Sequence, residues 1–193
     1  MWLLVAAVLN LGWANAVAQS DGVLPAVQLV RADDALKLSA QLKFELPGVV
    51  EEALLKGIPI YFVAQVELRR QWLYWLTKKV VVVQRRMRLS YHPLTRRWRV
   101  NIGSGEPSEA GLGVALNQNF ESSAEAMSTI RRISHWKIVD AAELEPGTRY
   151  FVEFKFSLDV SQLPRPLQIG TLGQSDWSIA QVAEQSFEME PAK

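Results

Sequence analysis

Apolar and polar residues alternate one by one through five segments of this chain, and a period of two leaves few folds open. Leu36, Leu38, Ala40, Leu42, Phe44 and Leu46 alternate with Lys37, Ser39, Gln41, Lys43 and Glu45. Ile58, Ile60, Phe62, Ala64, Val66 and Leu68 repeat the pattern, with Tyr61, Gln65, Glu67 and Arg69 in the opposite phase. Val81, Val83, Met87, Leu89 and Tyr91 make a third stripe, and Trp98, Val100 and Ile102 a fourth. Tyr150, Val152, Phe154, Phe156, Leu158 and Val160 make the fifth. Side chains alternate across a strand, so each stripe is one buried face backed by a wet one. Strands of that kind build antiparallel sheets, because parallel sheets are buried on both faces. The expected fold class is mainly β: an antiparallel sheet or sandwich with two short helices.

The first helix is expected over Val49–Lys56, after Pro47-Gly48 and before Gly57 and Pro59. The second is expected over Ser123–Ile133, opened by a capping box of Ser122 and Glu125. Residues 103–119 hold four glycines, a proline and little periodicity, which predicts a long surface loop. Leu163-Pro164-Arg165-Pro166-Leu167 reads as an extended joint, and a last strand is expected near Trp177–Val182.

Residues 1–18 read as a secretory signal. Met1–Leu11 is an apolar run, and Ala14-Asn15-Ala16 and Ala16-Val17-Ala18 supply small-residue cleavage sites before Gln19. No Lys or Arg precedes the run, and a retained anchor is the competing reading. Residues 19–193 are then expected to form a single exported periplasmic domain, with a peripheral position on the inner membrane as an accompanying expectation. The chain has no cysteine. Disulfides are therefore excluded, as are thiol catalysis and zinc–thiolate sites, and apolar burial must hold the fold.

Charge is distributed unevenly. Ten of the 21 Lys and Arg residues lie between Arg69 and Arg99, where there is no Asp or Glu. A net charge of +1 thus hides a polarised molecule, and clustered cations create a local field that draws anions. Tyr91–Arg96 suits a turn between two strands. Pairing Tyr91 with Arg96 sets Leu89 against Trp98 and Met87 against Val100, and it places Arg88 opposite Arg99. Two guanidinium groups ~6 Å apart in water repel by only ~0.7 kcal/mol, which a fold tolerates. Arg86, Arg88, Arg97 and Arg99 are accordingly the candidate anion-binding residues, since guanidinium matches carboxylate and phosphate in bidentate geometry. The competing reading has Glu67, Glu153 or Asp159 neutralise them within the sheet.

Trp72, Tyr74 and Trp75, with Lys78 and Lys79, form a candidate membrane or partner contact, since interfaces favour aromatic rings beside cations. The alternative is that these rings cover the core or stack beneath arginines.

Catalytic signatures are sparse. His92 and His135 stand 43 residues apart without partners at ligand spacing, so no metal site is expected. Ser104 lies in Gly103-Ser104-Gly105, which is neither a nucleophile elbow nor part of a P-loop. Asp33-Asp34 and Glu51-Glu52 are adjacent pairs whose side chains diverge. The reading is a non-enzyme without cofactor, and nucleic acid is not an expected partner of an exported protein.

Three motifs carry a family resemblance. Ala53–Phe62 reads ALLKGIPIYF, Arg88–Val100 reads RLSYHPLTRRWRV, and Leu158–Pro166 reads LDVSQLPRP, followed by Asp176-Trp177. Together they resemble the domain of unknown function 4390 family of exported proteobacterial proteins, some described as proline-rich signal-peptide proteins. Pro93 stands where that family usually has alanine. The resemblance implies an envelope protein with no established activity, and it suggests a membrane sensor kinase as a possible neighbour.

The expected function is a non-enzymatic periplasmic binding or adaptor module. Its basic strand face would meet anionic lipid, lipopolysaccharide or an acidic envelope protein. The alternative is a structural accessory that docks on a membrane protein through a sheet edge or the Trp72–Trp75 hairpin.

Overall fold

The computed structural model describes residues 25–32, 34–104, 116–171 and 177–189. The expected signal peptide, Asp33 and most of the 103–119 loop fall outside them. Nine strands form two antiparallel sheets. β1 (Ala26–Arg31), β2 (Ala35–Gln41) and β7 (Arg132–Asp140) make a three-stranded sheet in the order β1-β2-β7. The larger sheet runs β6-β5-β4-β3-β8-β9. Its strands are β3 (Ile60–Leu73), β4 (Leu76–His92), β5 (Arg97–Ser104), β6 (Leu116–Phe120), β8 (Arg149–Leu158) and β9 (Ala180–Glu188).

The alternation read from the sequence is the alternation of burial. Ile60, Phe62, Ala64, Val66 and Leu68 of β3 are fully buried, and Tyr150, Val152, Phe154, Phe156 and Leu158 of β8 lie on the same inner face. These rows meet Leu36, Leu38, Ala40, Ile133, Trp136 and Ile138 of the smaller sheet in one apolar cluster. Phe62 and Phe156 stack at 5.6 Å, and Phe44 tilts against both.

Three α-helices are present among the described residues. α1 (Gly48–Leu55) packs near one end of β4 and ends in a left-handed residue, Gly57, at φ 83°. Gly57 N–H donates to Leu54 O and Ile58 N–H to Ala53 O, the paired bonds of a Schellman stop. α2 (Ser123–Arg131) starts where the capping box predicts, with Glu125 N–H donating to Ser122 Oγ at 3.2 Å. It packs on β5, β6 and β7.

Several expectations are corrected. β7 begins directly after α2, inside a stretch read as helix to Ile133. Its pairing with β2 is irregular at two places and His135 sits at φ 47°, so its apolar residues fall out of strict phase. β2 pairs only to Gln41, short of Leu46, and β1 was not anticipated. The presumed loop ends in strands: β5 runs to Ser104, and β6 starts at Leu116. The proline-bearing joint is a 3-10 turn (Val160–Gln162) followed by helix α3 (Arg165–Thr171). Proline is tolerated in a first helical turn, where its missing N–H has no helical partner to lose. The last strand starts at Ala180, and Trp177 and Ile179 are buried ahead of it.

On one side, side-chain hydrogen bonds fasten the two sheets. Gln181 and Gln185 of β9 donate side-chain amides to Lys43 O at 2.6 Å and Val27 O at 2.7 Å, tying the larger sheet to the smaller. The opposite side, where β4 faces β7, is a cleft.

Candidate functional site

β4 and β5 pair from Arg85↔Ser104 to His92↔Arg97, so Leu89 meets Val100 and Tyr91 meets Trp98. The register is shifted by two residues from the one that the Tyr91–Arg96 pairing predicts. The turn keeps four residues but moves one position along the chain, to 93–96, with Arg96 in the left-handed region at φ 51°. A two-residue shift keeps every face unchanged. It also separates the arginines: Arg88 lies opposite Asn101, Arg99 opposite Ser90, and Arg86 opposite Gly103.

All four candidate arginines share the outward phase of this pair. Arg97 has a carboxylate partner, Glu121, at 3.4 Å in an exposed ion pair. Arg86, Arg88 and Arg99 have none among the described residues. The carboxylates that could have neutralised them are engaged elsewhere. Glu67 binds Arg69 at 2.7 Å and Lys79 at 3.5 Å, while Glu153 binds Arg69 at 3.2 Å and also Lys155. Asp159 accepts from Ser161 N–H at 3.1 Å and Ser161 Oγ at 2.5 Å. It lines a recess of about 260 Å³ with Tyr61, Arg86, Arg88 and Asn101, yet forms no ion pair with either arginine.

Neutral donors and acceptors surround the cations. Arg99 Nε donates to Asn119 Oδ1 at 3.0 Å, and Asn101 Nδ2 donates to Asn117 Oδ1. The Arg88 guanidinium lies 5.8 Å from the Tyr61 ring centroid. Sequence reasoning missed Tyr61 and the asparagines as parts of this face, because their roles depend on which strand pairs with which.

Glu67 gives the surface a pH signature. Hydrogen bonding from Arg69 first, and the charges of Arg69 and Lys79, hold its carboxyl below the usual value of 4.5 against the opposing effect of desolvation. A carboxyl with a depressed folded-state pKa contributes stability above its unfolded pKa and loses it as pH falls through the folded value. Urea midpoints should therefore drop as pH falls below about 4.5, and Glu67→Gln should flatten part of that slope. The pairs are partly exposed, so the difference at neutral pH should be under about 1 kcal/mol.

The aromatic hairpin is where the structure departs most from a core role. β8 pairs with β3 only as far as Arg70↔Tyr150, and β5 pairs with β4 only from Arg85 onward. The β3–β4 ribbon therefore runs past the rest of the sheet. At its tip Trp72 is 64 % exposed, Tyr74 95 % and Trp75 78 %. Neither covering of the core nor stacking beneath arginines holds for these three rings. Lys78 pairs across from Arg70 in the backbone ladder, and Lys79 reaches Glu67.

The other residues weighed for chemistry do not converge. His92 is exposed at the end of β4, and His135 is exposed on β7. Glu52 pairs with Lys56 at 3.6 Å along α1, and Asp34 with Lys37 at 3.1 Å. No three His, Asp or Glu side chains among the described residues are grouped to hold a metal. No helix among the described residues is long and apolar enough to cross a membrane.

A family model described as domain of unknown function (DUF4390) matches residues 20–186. The chain belongs to this family. Comparisons with curated proteins and with solved structures returned no match. The three motifs of this DUF4390 chain now have places. The first spans the end of α1 and the start of β3, and the second is the β4–β5 hairpin. The third is the 3-10 turn after β8, beside the arginine-lined recess.

One residue was overlooked altogether. Arg85 occupies the inward phase of β4, between Val83 and Met87, opposite the fully buried Ala64. The gap it leaves in the third apolar stripe was its only signal in the sequence.

Proposed function

We propose that this DUF4390 protein is a non-enzymatic binding module of the cell envelope, exported to the periplasm, whose outward β4–β5 face recognises an anionic partner. The chemistry it suits is shared by lipid headgroups, lipopolysaccharide and acidic protein surfaces. One observation carries the reading: Arg86, Arg88 and Arg99 project together from two paired strands with no carboxylate partner among the described residues. Cations near an anionic surface contribute about 1 kcal/mol each. Arg97 already has Glu121, so the three guanidinium groups without a carboxylate amount to about 3 kcal/mol, a roughly hundredfold effect on binding.

The test replaces Arg86, Arg88, Arg97 and Arg99 together with Gln. The native protein should sediment with phosphatidylglycerol vesicles, or with envelope extracts, at low salt and be released at high salt. The variant should lose that association while keeping its unfolding midpoint. Binding to extracts but not to vesicles would identify an acidic protein as the partner. Unchanged sedimentation of the variant with both would refute the reading.

A second reading is favoured by the exposed tip. In it the Trp72–Trp75 hairpin docks on a membrane protein and the chain serves as a structural accessory.

A further inference from the structure

The side of the sandwich left open between β4 and β7 is a cleft of about 730 Å³. Its two walls are Val81–Arg85 of β4 and Trp136–Asp140 of β7, with Glu143 at one end. Through Gln84 the β4 wall is a strand edge without a neighbour among the described residues, and so is the β7 wall. β4 has β5 beside it only from Arg85 onward, and β7 pairs with β2 alone. Every second backbone N–H and C=O along such an edge points outward unpaired, which is a template for another strand.

Arg85 lies at one end of this cleft. Its guanidinium carbon stands 4.8 Å from the Trp136 ring centroid, and its Nε is buried with no hydrogen-bond partner. No carboxylate among the described residues pairs with it. Burial alone pushes its pKa below the usual arginine value. A buried donor left unmatched costs free energy, which a guest group that accepts from it would recover.

The other charges facing the cleft set a direction. Lys137 is engaged by Asp140 at 2.6 Å. Asp140 lies four residues from Trp136 along β7, about 13 Å in an extended strand, and Glu143 follows it. With Asp140 matched by Lys137, Glu143 leaves a net negative charge at the far end and Arg85 a positive one at the near end, with Val81, Val83, Trp136 and Ile138 between.

We propose that this cleft accepts an extended peptide from a partner protein, added as a strand along β4, with an acidic side chain placed on Arg85. Alternate guest residues would point inward, so the guest is read as one acidic residue, a small apolar residue two positions away, and a basic or polar residue at four. Main-chain bonds to the β4 edge supply affinity, and the inward side chains supply selection. This site lies on the inner side of β4 and is independent of the outward arginine face.

The experiment uses a panel of blocked, fluorescein-labelled heptapeptides with alternating valine and threonine. They carry a glutamate and a lysine four apart in either order, and matched peptides carry glutamine for glutamate. Anisotropy with the full domain should show binding of a glutamate peptide in one order. It should weaken at least about tenfold in the glutamine peptide and in Arg85→Gln, while Arg88→Gln should bind normally. Amide hydrogen exchange should slow at residues 81–84 when the peptide is bound. An unchanged unfolding midpoint of Arg85→Gln keeps the comparison meaningful. Absence of binding across the panel would overturn the proposal. So would sodium laurate binding that depends on Arg85 without protecting those amides, because the guest would then be an amphiphile.

Discussion

Truncating Phe156 to Ala should destabilise the domain by about 3–5 kcal/mol, the largest effect expected from any single substitution here. Phe156 is 1 % exposed and sits on β8, a central strand of the larger sheet, with Phe62 stacked on it and Phe44 tilted against it. Both of those rings would border the void. With no cysteine in the chain, no covalent staple offsets the loss. The urea midpoint should fall at unchanged slope, and the thermal midpoint by roughly 6–20 °C. Its sequence neighbour is the control. Lys155 is half-exposed on the opposite face of the same strand, and Lys155→Ala should move stability by no more than about 0.5 kcal/mol. Similar effects from both would mean that β8 does not divide inside from outside as described.

The second large effect concerns the ribbon tip. Covering a large apolar side chain contributes about 1.5–3 kcal/mol, so burying Trp72 and Trp75 in a partner would contribute about 3–6 kcal/mol. Replacing Trp72, Tyr74 and Trp75 with Ser should then weaken association with membrane fractions by two orders of magnitude or more. The unfolding midpoint should not change, because the rings touch little of the core. Salt separates this contact from the arginine face. Apolar docking should survive 0.5 M salt, whereas attraction between exposed charges should not. Trp75, in the turn just ahead of β4, and Arg88 on β4 stand thirteen residues apart, at most about 43 Å along an extended chain. That is several Debye lengths, so a tip held in a bilayer leaves the arginines out of its field. Loss of membrane association in the quadruple arginine variant but not in the tip variant would rule out the docking role of the hairpin.

The sequence was most informative where one local rule decided the outcome. The inward rows of β3 and β8 follow from strict alternation, and the ends of α1 and α2 follow from Gly57 and Ser122. It failed where two rules competed. Ile133 and Trp136 continue an apolar series from α2, and only the irregular backbone around His135 turns that series into an edge strand. The outward arginines were legible as a group because the face of a strand residue depends on parity. Their mutual spacing was not legible, because parity cannot distinguish one register from another two residues away. Trp72, Tyr74 and Trp75 could not be assigned to core or surface from the sequence, since their exposure depends on where β8 and β5 stop. Arg85 was hidden because a missing apolar residue is a weaker signal than a present charge.

The ribbon carries irregularities at Leu68/Arg69 and at Gln71/Leu73 that fix which side chains share an aspect near its end. Its reach is consequently quantised. Removing one residue from each strand would rotate the aromatic cluster to the opposite aspect, whereas removing two would shorten the arm by about 6.6 Å and leave its orientation intact. Variation in the length of this arm should therefore come in even strides.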